Sequence, residues 1–280
     1  MSKKETISRL VDKYQSDIVK VNDTVWGFAE PGMKEYKTAE FYESFFKEKG
    51  FKVSSGLADM PTAFIAEWGS GKPVVGFLGE FDALPTLSQE ASCPEKKPIV
   101  PGAYGQGCGH NSLGAGAAGA AMAFRDYLEE NHLSGTVRFY GCPGEEYGSG
   151  KVFMARAGLY DDLDVCLTWH PGDMNKVSTT SSLANISVMF TFNGVSAHAA
   201  ANPYLGRSAL DAVELMNVGV NYLREHIIPE ARVHYAYVDA GGIAPNVVHD
   251  HATIHYFIRA PKMTQAQAIF ERVKDVAWGA

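Results

Sequence analysis

From Glu5 to Ala29 apolar residues recur at the three-and-four spacing of amphipathic helices. The stretch YKTAEFYESFFKEKG repeats that pattern and stops at Gly50, a residue suited to a C-terminal cap. Three strand-like runs follow, FKVSS, TAFIAEW and PVVGFLGEF. The last is apolar at successive positions, which suits a strand covered on both faces and places it inside a sheet. A loop rich in Pro and Gly, residues 84–109, leads to the helix-like NSLGAGAAGAAMAFRDYLEE, the strand GTVRFYGCP, the helix SGKVFMARAG and the strand DVCLTWH. Strands alternating with helices predict an α/β domain over residues 1–182, a mostly parallel sheet with flanking helices. The small residues from Asn111 to Ala123 fit an internal helix that approaches the sheet closely.

The texture changes at about Ser182. In NISVMFTFNG, Ile186, Val188, Phe190 and Phe192 alternate with Ser187, Met189 and Thr191, as in a sheet with one wet face. A helix from Ser208 to Glu225 opens with a Ser208/Asp211 cap and ends before Pro229; the strands ARVHYAYVDA and ATIHYFIRA and a helix from Thr264 follow. The order β-α-β-β-α predicts a second domain, residues 183–280, of α+β type and one strand short of a split βαβ (ferredoxin-like) sandwich. Because the last helix pattern is cut at Ala280 and the second sheet is left one strand short, the chain is expected to be truncated at its C-terminus.

Composition narrows the function. The 280 residues are 46% hydrophobic and 20% charged, with net charge -7 and pI near 5.7. No dense Lys/Arg run is present, so a nucleic-acid or anionic-lipid footprint is not expected, and small molecules are the expected partners. The polar N-terminus and the lack of a long apolar run predict a soluble, cytoplasmic protein without a membrane span. The four cysteines, Cys93, Cys108, Cys142 and Cys166, are then expected as thiols.

The unusual polar residues fall where strands of the first domain end. Glu80 and Asp82 close one strand, Glu145 and Glu146 follow another, His170 follows a third, and Cys108 and His110 open the helix after the long loop. In an open parallel sheet those strand ends share one edge, where ligands bind. Each residue alone has an ordinary explanation, but together they form a set of thiolate, imidazole and carboxylate donors. That set suits zinc and tolerates manganese or cobalt, and carboxylate-rich rims often hold two ions. On this reading Cys108 is a ligand. The alternative, a thiol nucleophile with His110 as its base, leaves Glu145, Glu146 and His170 unused. One of the paired glutamates can bind metal while the other moves a proton. In the second domain His198 lies in a loop that can present it outward, and Arg259 ends a strand on its polar side, where its fork can grip a carboxylate.

The motifs GEFDALP, GCGHN, PGEEYGSGK, TWHPGD, GVSAHAAANP and GGIAPNVV, in this order, resemble the M20 metallopeptidase family in its amidohydrolase branch. The resemblance implies a zinc aminopeptidase-like catalytic domain with two divalent ions, Zn or Mn. Cys108 would bridge them, His110, Glu146 and His170 would be terminal ligands, and Glu145 the general base. It implies that the second domain is a lid and dimerisation domain whose His198 enters a partner's cleft to stabilise the oxyanion, with Asn246 and Arg259 binding the substrate's carbonyl and carboxylate. The implied activity is hydrolysis of the amide bond of N-acyl amino acids, with aminobenzoyl-glutamate or short dipeptides as favoured substrates. The implied assembly is a homodimer through the lid, or a hetero-oligomer with a related chain. Two departures qualify this. Where the family often has His-x-Asp, the chain reads Glu80-Phe81-Asp82, so Glu80 is not expected to bind metal and Asp82 is expected to orient a ligand. Family members also supply a further histidine ligand near the C-terminus, so a truncated, non-catalytic protein that keeps fold and dimer interface is the rival expectation.

Overall fold

The structure, a computed structural model, describes residues 2–280, which divide into two compact units at Asn175/Lys176. The irregular, exposed stretch 176–183 belongs to the second unit. Among the described residues no helix is long and apolar enough to cross a membrane.

The first unit opens with helices α1 (Lys3–Asp12), α2 (Gln15–Phe28) and α3 (Tyr36–Glu48). Ser2 and Glu5 cap α1 reciprocally, and the helical run breaks at Lys13 and Tyr14 before α2 begins. Five strands follow, β1 (Lys52–Ser55), β2 (Phe64–Ser70), β3 (Val74–Gly79), β4 (Gly135–Gly141) and β5 (Val165–Leu167). Helix α4 (His110–Glu130) connects β3 to β4, and the short helices α5 (Glu145–Gly148) and α6 (Gly150–Arg156) connect β4 to β5. The sheet order is β1-β2-β4-β3-β5. As expected, β3 is internal and every one of its residues is buried.

The sheet is mixed. β3 runs parallel to β4 and β5, whereas β2 pairs antiparallel with β4 and β1 with β2. Only Gly71, Lys72 and Pro73 separate β2 from β3, too few for the dozen or more residues that a parallel crossover takes, so the chain must reverse there. Tyr42 and Phe46 of α3 meet Phe64, Phe81 and Phe139 of the sheet side in a buried aromatic cluster. Helix α4 lies directly over β3. A Cβ on Gly114 would come 2.4 Å from Tyr42 Oη and 2.7 Å from the Glu80 carbonyl oxygen, so the small side of α4 is a requirement of this packing.

In the second unit β6 (Ala184–Asn193), β8 (Arg232–Asp239) and β10 (His251–Ala260) form an antiparallel sheet in the order β6-β10-β8. A separate ribbon pairs β7 (Ala197–His198) with β9 (Val247–Val248). Helices α7 (Ala209–Leu223) and α8 (Met263–Gly279) cover one face, where Val213, Met216, Val220, Ile269 and Val273 pack on Ile254, Tyr256 and Ile258. Placing the third long strand between the first two is the arrangement of a split βαβ unit. Ser208 caps α7 by accepting from the Asp211 N–H at 3.0 Å.

Asp126 ties the helical layer together. Its carboxylate, on a buried residue, accepts from Lys13 Nζ at 2.5 Å, Tyr14 Oη at 2.7 Å and Arg125 Nη2 at 2.8 Å, joining the α1–α2 junction to α4. Burial works against the charged form, but the bonds from Lys13, Arg125 and Tyr14 outweigh it and hold the pKa below the usual carboxylate value. Its stabilising effect is therefore full above the unfolded-state value of about 3.9 and is lost as pH falls through the lower folded value. Asp126→Asn should cost about 1–3 kcal/mol at neutral pH, and its urea midpoint should converge on that of the wild type as pH falls through the lowered folded-state value. An equal gap above and below that value would show that the carboxylate's charge contributes nothing.

Candidate metal centre

Four segments bring polar side chains to one edge of the first unit's sheet. Glu80 and Asp82 follow β3, Cys108 and His110 stand at the start of α4, Glu145 and Glu146 open α5 after β4, and His170 follows β5. Because β4, β3 and β5 are parallel, their carboxyl ends lie on the same side.

His110 is completely buried. Its Nδ1 lies 2.8 Å from Asp82 Oδ1, while Asp82 Oδ2 accepts the Glu146 backbone N–H at 2.9 Å. A carboxylate facing Nδ1 keeps the proton on that nitrogen and leaves Nε2 as a lone pair facing inward. Nε2 stands 3.1 Å from Glu80 Oε2 and 4.0 Å from Glu145 Oε2. His170 is arranged likewise: its Nδ1 lies 3.0 Å from the Pro171 carbonyl oxygen, and its Nε2 lies 3.3 Å from Cys108 Sγ. The two imidazoles meet edge to face, with centroids 5.7 Å apart.

The donor atoms of Cys108, His110 and His170 all lie within 4.8 Å of one another, as do those of Glu80, His110 and Glu145. Three buried atoms of this region, His110 Nε2, Glu80 Oε2 and Glu146 Oε1, have no hydrogen-bond partner. Buried polar atoms left unpaired are costly and rare, and two of them, His110 Nε2 and Glu80 Oε2, stand 3.1 Å apart beside a thiol and a second imidazole, which matches what a divalent cation takes from a protein; Glu146 belongs to neither donor group. The residues present therefore fit a metal.

The electrostatics agree. Burial pushes the Cys108 thiol up to about 12, and the carboxylates of Glu146, Glu145 and Glu80 add to that. Without a cation Cys108 is a protonated thiol and a poor nucleophile; a dication beside it would reverse this. The structure sets the thiol beside His170, the nearer of the two imidazoles in hydrogen-bonding terms. Burial disfavours a charged His110, yet the bond and charge of Asp82, with Glu80 and Glu146 behind it, raise its pKa overall. Burial, then Glu80, raises that of Glu145.

The turn carrying the paired acids is held from below. Gly144 adopts a left-handed φ of 62°, and its N–H donates to Glu35 Oε1 at 2.7 Å; Glu35 Oε2 accepts from Thr62 Oγ1 at 3.0 Å. Sequence reasoning missed Glu35, whose only signal is an acid just ahead of the apolar pattern of α3. It also missed Lys151, which lies within the motif PGEEYGSGK and whose Nζ donates to Glu80 Oε1. Glu80 itself, not expected to bind metal, faces His110.

His198, Asn246 and Arg259 all belong to the second unit. His198 is exposed, and its Nδ1 accepts the backbone N–H groups of Ala200 and Ala201, each at 3.2 Å. Those donors fix the tautomer, so the proton sits on Nε2. The Asn246 carbonyl oxygen accepts from the Ala199 N–H at 2.9 Å, which sets Asn246 beside His198. Arg259 lies toward the C-terminal end of β10, its guanidinium 5.3 Å from the Phe257 ring centroid and its Nε buried without a partner.

The profile of Peptidase family M20/M25/M40 matches residues 76–279. The chain is 51% identical over 260 residues to one p-aminobenzoyl-glutamate hydrolase subunit of Escherichia coli, a match covering 93% of this chain and 54% of that protein. It is 28% identical over 281 residues to the human Xaa-Arg dipeptidase, covering 95% and 60%. A different p-aminobenzoyl-glutamate hydrolase subunit of E. coli is 27% identical over 232 residues, covering 78% and 52%. The chain thus spans a little over half the length of these curated relatives. Among solved structures, the fold is similar to that of an aminobenzoyl-glutamate utilization protein from Klebsiella pneumoniae, with TM-score 0.67 and 20% identity over 98% of this chain and 74% of that one. It is also similar to that of a Bacillus subtilis protein described as a dinuclear metal binding peptidase, with TM-score 0.64 and 20% identity over 96% and 70%.

Asp82 joins His110 to the backbone of Glu146, so its replacement should act on metal affinity without removing a donor atom. Asp82→Asn is expected to weaken zinc binding about 10–100-fold, read by competition against a chromophoric chelator. Unchanged affinity would show that the Asp82–His110 pair does not serve a metal.

Proposed function

The chain belongs to the M20/M25/M40 peptidase family, and from that membership we propose that it is the metal-binding part of an amidohydrolase acting on N-acyl amino acids, with aminobenzoyl-glutamate or short dipeptides as favoured substrates. One observation carries the reading: two imidazoles, each with Nδ1 engaged by an oxygen, turn Nε2 toward a thiol and toward a buried, unpaired carboxylate oxygen. The substrate class follows from likeness to proteins named as a p-aminobenzoyl-glutamate hydrolase and as dipeptidases.

Cys108, His110, Glu146 and His170 would hold two divalent ions, zinc or manganese, with Asp82 orienting His110. Bound cations would supply a Lewis acid for the amide carbonyl and lower the pKa of water. Glu145 takes a proton from the attacking water and returns it to the leaving amine. The division of labour between the adjacent acids has a physical basis. Glu146 has its backbone pinned by Asp82 and one oxygen buried, whereas the Glu145 side chain is 42% exposed and its carboxyl is raised toward the range of a proton carrier.

His198 supports an oxyanion-stabilising role, because its tautomer leaves Nε2–H as a free donor. Asn246 beside it suits the carbonyl, and Arg259, which no carboxylate pairs among the described residues, suits the substrate carboxylate. Arg259 stands eight residues along β10 from His251, the end near His198 and Asn246. At roughly 3.3 Å per residue that is about 26 Å of strand, more than one N-acyl amino acid reaches. This favours a homodimer in which His198 and Asn246 serve one cleft and Arg259 another; a related chain, as the names of the two E. coli hydrolase proteins imply for that enzyme, is the alternative partner. The unpaired thiols agree with a cytoplasmic site of action.

The full-length protein loaded with zinc or manganese should release amine from N-acyl amino acids and lose that activity to a chelator. No release across a substrate panel would leave only the non-catalytic reading. Glu145→Ala should keep about two ions per chain and lose roughly two to four powers of ten in kcat, whereas Glu146→Ala should lose metal by elemental analysis; the reverse pattern would exchange their roles. Mixing dimers of His198→Ala with dimers of Glu145→Ala should restore activity through hybrid clefts, and no recovery would argue that each chain completes its own site.

A further inference from the structure

Glu80, which stands where the family often has a histidine, carries a donor oxygen that the set of Cys108, His110, Glu146 and His170 does not use. Building on that metal-binding reading, we propose that Glu80 binds one of the cations directly through Oε2, and that Lys151 is the positioning residue that presents it.

The Glu80 side chain is only 8% exposed and His110 is 0% exposed, so both are cut off from water. One Glu80 oxygen, Oε1, is taken by Lys151 Nζ. The other, Oε2, has no hydrogen-bond partner and stands 3.1 Å from His110 Nε2, also unpartnered. With Asp82 holding the His110 proton at Nδ1, Nε2 offers a lone pair. Two electron-rich atoms then face each other in a dry interior, and the contact requires a positive charge against both, either a bound cation or a proton on Nε2. Two donors bound to one ion at roughly 2.0–2.2 Å are themselves about 3 Å apart, which is the spacing found. Glu145 Oε2 lies 4.0 Å from His110 Nε2, so the acid assigned the proton work stands beside this pair.

Lys151 makes this presentation specific. It lies in α6, one turn past the paired acids, with its side chain 25% exposed. By occupying Oε1 it fixes the carboxylate rotamer and leaves one oxygen for a cation. Its charge also offsets part of the negative charge that Glu80, Asp82, Glu145 and Glu146 bring to one place.

The test uses full-length protein stripped of metal and titrated with Co²⁺, followed by equilibrium dialysis and by cobalt absorption, in which the thiolate band reports Cys108. Wild type should bind two ions. Glu80→Gln should weaken one of them more than about 100-fold, beyond the range expected for a residue that only supports a ligand, with the thiolate band kept. Lys151→Met should weaken the same ion about 10–100-fold, and Lys151→Arg should restore it. Two ions bound by Glu80→Gln with wild-type affinity and spectrum would overturn the proposal and leave Glu80 as the hydrogen-bond partner of a protonated His110. If circular dichroism shows Glu80→Gln unfolded, Lys151→Met decides, and unchanged cobalt affinity in that variant overturns the proposal. A wild type that binds no cobalt, or binds it without a thiolate band, would instead overturn the two-ion reading on which this rests.

Discussion

One carboxylate organises the edge of the first sheet. Asp82 comes directly off the buried central strand and spends one oxygen on the imidazole at the head of α4 and the other on the backbone N–H of Glu146. A strand end, a helix start and a turn are thereby referenced to a single rigid group. The first bond sets which nitrogen of His110 faces inward, and the second sets the height of the turn that carries two acids. An aspartate is the right length for this: its short side chain has few rotamers to lose, and its two oxygens reach two elements without bending either. Everything chemical at the site is defined relative to it.

Much of this is legible in local pattern. An apolar run without alternation marks Val74–Gly79 as internal, the small residues of α4 mark a close approach to the sheet, and strand ends locate the polar cluster. The family motifs supply roles for Cys108, His110, Glu145, Glu146 and His170; the structure gathers the side chains of Cys108, His110 and His170 and of His110 and Glu145, and ties Glu146 to Asp82 through its backbone. In the second unit, alternation identifies the apolar face of β6 and β10 correctly.

What stays hidden depends on long-range pairing. No spacing rule tells that Lys151 reaches back across 71 positions to Glu80, or that Glu35 reaches forward 109 positions to Gly144. Glu35 follows a lysine just ahead of the α3 pattern and Lys151 ends a motif read for its acids, and a charge so placed reads as surface until its partner is known. The antiparallel placement of β1 and β2 escapes for a related reason: strand direction follows from the length of connections and the choice of neighbours, which hydrophobic period does not report. The choice of His170 rather than His110 as the neighbour of Cys108 likewise rests on how the segment after β5 crosses the rim.

The close seat of α4 on β3 reaches beyond packing. Gly114 sits under the hydroxyl of Tyr42 and against the carbonyl of Glu80. A methyl group added at this buried point must push the residue that begins the rim, so an interior substitution would be felt as a chemical defect well before it was felt as unfolding. The seam between helix and strand therefore works as a depth gauge. At Gly114 the floor on which the acids stand leaves room for hydrogen alone.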